Sequence, residues 1–238
     1  MSKLNFGIIA AGEGSRLAQE GVKLPKPLVK INGIPMIQRL ISIFCRCGAA
    51  SINIIINNEM KEVRSFLEEI APALPCEFKL IVKTTESSMH SFYELARIMK
   101  GRFVVTTVDT IFREDDFMKY ASSYINEILD IDGLMGVTSY IDDEKPLYLS
   151  INHQGFITGY YDMPVADSIY ISGGIYGLSD KCLPLLERML HEGTTRMRNF
   201  QRALVLNGFN LKAFNLGKIV DVDHAADIAV AESFLNQP

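Results

Sequence analysis

The sequence predicts a doubly wound α/β fold with a mostly parallel sheet, and three observations carry that reading. Phe6–Ala10, Ile52–Ile56, Phe78–Val82 and Phe103–Val108 are strand-length runs that are largely apolar, as in strands buried on both faces. Between them lie stretches with helical character: Met36, Leu40, Ile41 and Phe44 recur at helical spacing, Glu59–Ile70 is amphipathic, and Met89–Met99 follows. Strands alternating with helices at this spacing build parallel βαβ units. Finally, three of the runs end in polar residues. A glycine loop follows the first, Thr84-Thr85-Glu86-Ser87-Ser88 the third and Asp109 the fourth. Ligands of such sheets collect beyond the carboxyl ends of the strands, so these three polar ends define one rim.

The first loop reads Ala10-Ala11-Gly12-Glu13-Gly14-Ser15-Arg16-Leu17, and Lys23-Leu24-Pro25-Lys26-Pro27-Leu28 follows shortly after. Without Cβ atoms at Gly12 and Gly14, such a loop can present backbone N–H groups to an anion at close range. Arg16 offers a planar fork to phosphate oxygens, and Lys26 adds a point charge. Pro25 and Pro27 hold Lys26 on stiff, non-helical backbone. Together these residues are suited to a polyphosphate. The alternative is a structural glycine turn beside a surface arginine and lysine. Three other phosphate loops are excluded. No Gly-Lys-Ser or Gly-Lys-Thr occurs, the third glycine of G-x-G-x-x-G is replaced by Leu17, and neither H-R-D nor D-F-G is present.

A chain of 238 residues fits one large domain, in two halves of about residues 1–130 and 131–238. With 48% hydrophobic and 22% charged residues, it groups with soluble globular proteins. A net charge of -4 argues against a general nucleic-acid binder. An acidic protein that handles phosphates must concentrate its cations locally, as the first loop does. Cys45, Cys47, Cys76 and Cys182 form no C-x-x-C or zinc spacing and read as thiols of a reducing compartment. No signal peptide or membrane span is read, so a cytoplasmic location without membrane partners is expected.

Asn32-Gly33 is a turn pair, and Pro35 is expected in the first turn of the helix that runs toward Gly48. From Gly133 the pattern changes. Gly133–Tyr140, Leu147–Asn152, Phe156–Tyr161 and Ser168–Gly177 read as strands without helices between them, an antiparallel excursion forming a small lobe over the substrate end. Asp142-Asp143-Glu144 reads as a solvated turn. Two helices follow, at Asp180–His191 and Thr194–Leu206, then short strands at Asn210–Phe214 and Ile219–Asp221, and a closing helix at Ala229–Leu235. Asp109 ends an apolar strand. Locally it is either a turn cap or a carboxylate placed to hold a hard cation against phosphates.

Ala-Ala-Gly-x-Gly-Ser-Arg-Leu followed by Pro-Lys-Pro-Leu resembles the opening of the sugar-phosphate nucleotidyltransferases, or nucleotide-sugar pyrophosphorylases. Asp221-Val222-Asp223-His224-Ala225-Ala226-Asp227-Ile228 resembles their closing motif, with His224 in place of threonine. Ser172-Gly173-Gly174-Ile175-Tyr176 resembles the G-G-I-Y stretch beside the acceptor sugar, although a strand bulge explains these glycines as well. The resemblance implies a Rossmann-like three-layer sandwich and transfer of NMP from an NTP to a phosphorylated acceptor, a sugar 1-phosphate above all. Ala10, Ala11, Gly12, Gly14, Ser15, Arg16, Lys26 and Ser88 would hold the nucleotide. Arg16 and Lys26 would be catalytic, together with Asp109 and Asp221 as ligands of Mg2+. Asp223 would cap the last helix and Asp227 brace the motif. Gly174 would border the acceptor. Lys218 is a candidate for its phosphate, with a plain surface lysine as the alternative.

The family's V-E and later E-K-P sugar contacts are displaced. Glu144-Lys145-Pro146 precedes the strand pair, and Tyr161-Asp162-Met163-Pro164 stands where the motif belongs. The acceptor's identity is therefore open, with phosphocholine or another non-sugar phosphate as an alternative. A glycosyltransferase of similar fold, using Asp221-Val222-Asp223 as a D-x-D, and a non-catalytic nucleotide sensor are the other classes. The first loop disfavours the glycosyltransferase, because a nucleoside diphosphate needs no clamp for a leaving pyrophosphate.

Overall fold

The computed structural model describes residues 3–127, 131–141, 145–166 and 168–237. The chain opens with β1 (Asn5–Ile9), α1 (Ser15–Gln19), the hairpin β2 (Lys30–Ile31) and β3 (Ile34–Pro35), and α2 (Met36–Arg46). It continues through β4 (Ser51–Ile56), α3 (Lys61–Ile70), β5 (Glu77–Val82), α4 (Ser88–Ala96), β6 (Arg102–Thr107), β7 (Thr110–Ile111) and α5 (Glu114–Asn126). Then come β8 (Gly133–Thr138), β9 (Tyr148–Ile151), β10 (Ile157–Tyr161) and β11 (Tyr170–Ser179). The chain ends with α6 (Leu183–His191), α7 (Met197–Leu206), β12 (Leu211–Asn215), β13 (Val220–Asp221) and α8 (Ala225–Asn236).

β1 lies between β4 and β6, with β5 beyond β4, all parallel. The chain leaves β1 for one side and returns to the other at β6, so the crevice beyond β1 and β6 is the topological switch point at which such sheets bind ligands. The antiparallel strands do not form a detached lobe. β11 is ten residues long and pairs with β6, β8 and β9, which joins them to the central sheet. One long strand thus ties the antiparallel strands directly to the parallel ones.

Side-chain alternation along the buried strands feeds two cores. Phe6, Ile8, Ile52, Ile54 and Val104 face α2, α3, α5 and α8, whereas Ile9, Ile55, Phe103 and Val105 face α4, α6 and α7. The result is a three-layer sandwich. On the first face Phe6 stacks on Phe44 at 4.5 Å and Phe112 on Phe117 at 4.7 Å.

The sequence-read strands and helices are present with shifted ends, and α5 is added. Its buried Phe117, Tyr120, Ala121 and Tyr124 follow helical spacing, and Tyr120 and Tyr124 donate hydroxyl hydrogen bonds to the carbonyls of Leu134 and Leu178. Pro35 precedes the first helical residue of α2 as its N-cap and does not enter the first turn. The Asp142-Asp143-Glu144 turn lies outside the described residues.

Candidate active site

A cavity of about 670 Å3 opens at the switch point, lined in part by Arg16, Ser88, Asp109, Gly174, Tyr176, Asp221 and Asp223. The two aspartates expected to share a cation come together through a miniature ribbon. β13 pairs antiparallel with β7, which sets Asp221 opposite Thr110, and the Val222 N–H donates to the Asp109 carbonyl at 3.1 Å. Residues more than a hundred positions apart thereby border one hollow.

Lys26 is the hub of the site. Its ammonium lies 2.5 Å from Asp109 Oδ2 and 2.6 Å from Asp223 Oδ1, while Arg16 NH1 donates to the other oxygen of Asp223 at 3.1 Å. Burial alone would lower the Lys26 pKa, but the Asp109 and Asp223 carboxylates outweigh it and hold the pKa above its ordinary value. Asp223 moves the opposite way. Burial raises its pKa, but Lys26 and then Arg16 bring it below the usual carboxylate value. Both charges therefore persist at neutral pH.

This corrects the role expected for Asp223. The N-cap of α8 is His224, and the Asp223 carboxylate turns away from the helix toward the cations. Asp227 does brace the turn, as its Oδ2 accepts the N–H groups of Asp223 and His224 at 2.9 and 2.7 Å. Glu20, at the end of α1, also accepts the Ala225 N–H, and His224 Nδ1 donates to its other oxygen, both at 2.6 Å.

The Glu20–His224 pair gives a pH-dependent latch between the first loop and the closing motif. The Glu20 hydrogen bond, its charge and that of Asp227 raise the His224 pKa against desolvation and Arg16. The His224 hydrogen bond lowers the pKa of Glu20. A raised histidine stabilises fully below its unfolded value of 6.5 and loses the contribution as pH rises through its folded value. A depressed glutamate stabilises above 4.5 and loses it as pH falls. The latch is thus strongest between those values. The melting-temperature gap between parent and His224→Ala should be largest near pH 6 and shrink by pH 9; a gap that stays constant would refute the latch.

Of the residues expected to hold the nucleotide, Arg16 and Ser88 line the hollow, whereas Ala10, Ala11, Gly12, Gly14, Ser15 and Lys26 are not among its lining residues. Gly14 is left-handed at φ +63°, and a Cβ there would lie 2.8 Å from Lys26 Cβ. The second glycine thus serves the seating of the lysine, while around Gly12 the space is open. Gly174, at φ +70°, lies at the β11 bulge and faces Thr110 Oγ1, so the bulge and the cavity wall coincide. Lys218 is not part of the wall. Its ammonium sits 4.0 Å from the ring centre of Tyr140, itself a wall residue, because the two aromatic rings of Tyr140 and Phe234 draw it aside.

Several contributors escape sequence reading. Asn57, 6% exposed at the end of β4, donates from Nδ2 to the Ala11 carbonyl at 3.1 Å and pins the loop. Its only signal is an asparagine closing an apolar strand. Tyr176, read only as the end of the G-G-I-Y stretch, is buried in the wall, where burial and then Asp221 and Asp109 push its hydroxyl pKa up, so it stays neutral. Arg196, Arg198 and Gln201 also line the cavity and belong to no motif.

The donor set suits magnesium. Asp109 and Asp221 supply hard oxygens, and no group of three or more potential ligand residues occurs among the described residues. Magnesium is commonly held by one or two carboxylates, with substrate phosphates and water completing its shell.

A parallel α/β core with a cation-bearing glycine loop at its switch point defines a nucleotide-handling class of domain. Residues 7–140 match the MobA-like NTP transferase domain, and the chain belongs to that family. It is 30% identical over 118 residues to a 2-aminoethylphosphonate cytidylyltransferase of Lancefieldella rimae, covering 48% of this chain and 46% of that one. It is 24% identical over 237 residues to the bifunctional protein GlmU of Methanococcus maripaludis, covering 97% and 54%. The chain thus spans about half the length of these curated relatives. The inositol-1-phosphate CTP transferase of T. maritima superposes with a TM-score of 0.80 at 16% identity, covering 100% of this chain and 98% of that one. A putative glucose-1-phosphate thymidylyltransferase of Bacillus anthracis gives 0.84 at 21%, covering 99% and 96%. These likenesses establish the nucleotide-diphospho-sugar transferase fold. No described helix is long and apolar enough to cross a membrane.

Proposed function

We propose that this chain is a nucleotidyltransferase that moves an NMP group from an NTP to a phosphorylated small-molecule acceptor and releases pyrophosphate. One observation carries the reading: Arg16 and Lys26 converge on the two oxygens of a single carboxylate, Asp223. An arginine and a lysine gripping one small forked anion is the arrangement a phosphate group requires. In the nucleotide complex, phosphate oxygens take the place of the Asp223 oxygens. Family membership and a relative that carries out cytidylyl transfer support the same chemistry.

An oxygen of the acceptor phosphate attacks the α-phosphorus, the new O–P bond forms, and the bond to the β-phosphate oxygen breaks with its electron pair. The attacking phosphate is already ionised near neutral pH, so no base is required. Lys26, kept charged by its neighbours, neutralises the charge that grows on the α-phosphate, and Arg16 steadies the departing pyrophosphate. Asp109 and Asp221 would hold Mg2+, which supplies charge neutralisation and alignment of the α-phosphate. Gly174 and the β11 bulge border the acceptor.

A pyrophosphate-release screen of the four NTPs against phosphorylated acceptors tests the reading. Release that depends on both substrates is expected. NTP binding without release across the panel would favour the sensor, and sugar transfer from a UDP-sugar would favour the glycosyltransferase.

A further inference from the structure

We propose that the acceptor carries a second anionic group, a carboxylate or a further phosphate, received by Arg196 and Arg198. This rests on the nucleotidyl-transfer reading and narrows its substrate class. The cavity wall carries both signs of charge: Asp109, Asp221, Asp223 and Asp227, and also Lys145, Arg196 and Arg198. An adjoining hollow of about 610 Å3 shares only those three cations with the first, adds Arg202, and borders none of the four aspartates. Apart from Arg16, the lysine and arginines of the wall therefore gather where the two hollows meet, beside a hollow that the four aspartates do not border.

The local pairing leaves positive charge in excess. Arg198 and Arg202, one turn apart on α7, share the exposed Asp162 carboxylate at 2.7 and 2.6 Å. Arg198 also donates to the Lys145 carbonyl at 2.9 Å. Arg196, immediately before the helix, has no side-chain partner among the described residues. Among the described residues, three arginines thus have one carboxylate between them there. Gln201 adds a neutral donor on the same wall. It is 3% exposed and its carbonyl accepts the Ser172 hydroxyl at 2.8 Å, while its amide NH2 has no partner among the described residues. The amide NH2 is not sealed off from solvent, so an oxygen entering the cavity can take its hydrogens.

The reacting phosphate does not account for this cluster, because it must lie beside Lys26, Asp109 and Asp221. A neutral acceptor tail leaves Arg196 unanswered, and a cationic tail such as that of phosphocholine meets like charge. A carboxylate or phosphate can take an arginine fork through two parallel hydrogen bonds. An acidic sugar phosphate satisfies both ends of the site.

Equilibrium binding by calorimetry at fixed ionic strength tests this on the full chain. The probes are glycerol 3-phosphate, phosphocholine, 3-phosphoglycerate and propane-1,3-diol bisphosphate. At least one of the last two should bind about tenfold more tightly than glycerol 3-phosphate, with phosphocholine weakest. The two arms separate a carboxylate from a second phosphate. Arg196→Gln, at an exposed position, should abolish the advantage and leave glycerol 3-phosphate binding and the melting temperature unchanged. Equal affinities, no detectable binding of either probe with a second anionic group, or an advantage that survives Arg196→Gln would overturn the proposal. Pyrophosphate release is read separately. Its absence with every NTP refutes the transfer reading alone, since the binding comparison needs no turnover.

Discussion

Replacing Lys26 with alanine is expected to lower turnover by about a hundredfold or more, the scale on which removing one preorganised charge stabiliser acts. The substitution removes an ammonium whose side chain is 10% exposed and which touches two carboxylates. It therefore also leaves Asp109 and Asp223 without their shared counterion. Lys26→Met, which loses the charge but retains the apolar stem that packs near Gly14, separates loss of the ammonium from loss of packing. Single-turnover measurements at saturating NTP and magnesium read the chemical step directly. Near-normal turnover in both variants would remove Lys26 from the reaction, whatever the change in stability.

The second large effect is expected from Asp109→Asn. Loss of a ligand charge should raise the magnesium concentration for half-maximal activity by about tenfold or more, since even indirect partners of a metal contribute on that scale. The structure also supplies a competing role, because Asp109 Oδ2 lies 2.5 Å from Lys26. If it serves only to hold the lysine, kcat falls while the magnesium dependence matches the parent. A rightward shift of the magnesium curve supports the metal assignment, and an unshifted curve with lowered kcat refutes it.

Much of the architecture was legible because buried parallel strands announce themselves. Ile52–Ile56 and Phe103–Val108 can hardly be read otherwise, and the loop after β1 follows from glycines beside cations. Helix α5 was missed, although its Phe117, Tyr120, Ala121 and Tyr124 follow helical spacing. The functional residues divide differently. Asp109 and Asp221 could be named from their motifs, and they do share a cavity. The partner of Asp223 could not. A carboxylate two residues before a helix reads locally as a cap, and only the tertiary approach of Lys26 and Arg16 turns it outward. Likewise, Lys218 looked available for a phosphate until the rings of Tyr140 and Phe234 claimed its ammonium. Asn57 and Gln201 act through single hydrogen bonds across the fold, which leave no periodic trace.

The contacts that complete the site join positions 197 to 207 residues apart: Lys26 and Arg16 with Asp223, and Glu20 with His224. Asn32 likewise meets Glu232 and Asn236 of α8. A ribosome therefore makes the gripping loop well before its counterions. During synthesis the two cations remain without these partners until about two hundred further residues have been added. A fragment truncated at residue 140 would contain the family segment while lacking both Asp221 and Asp223.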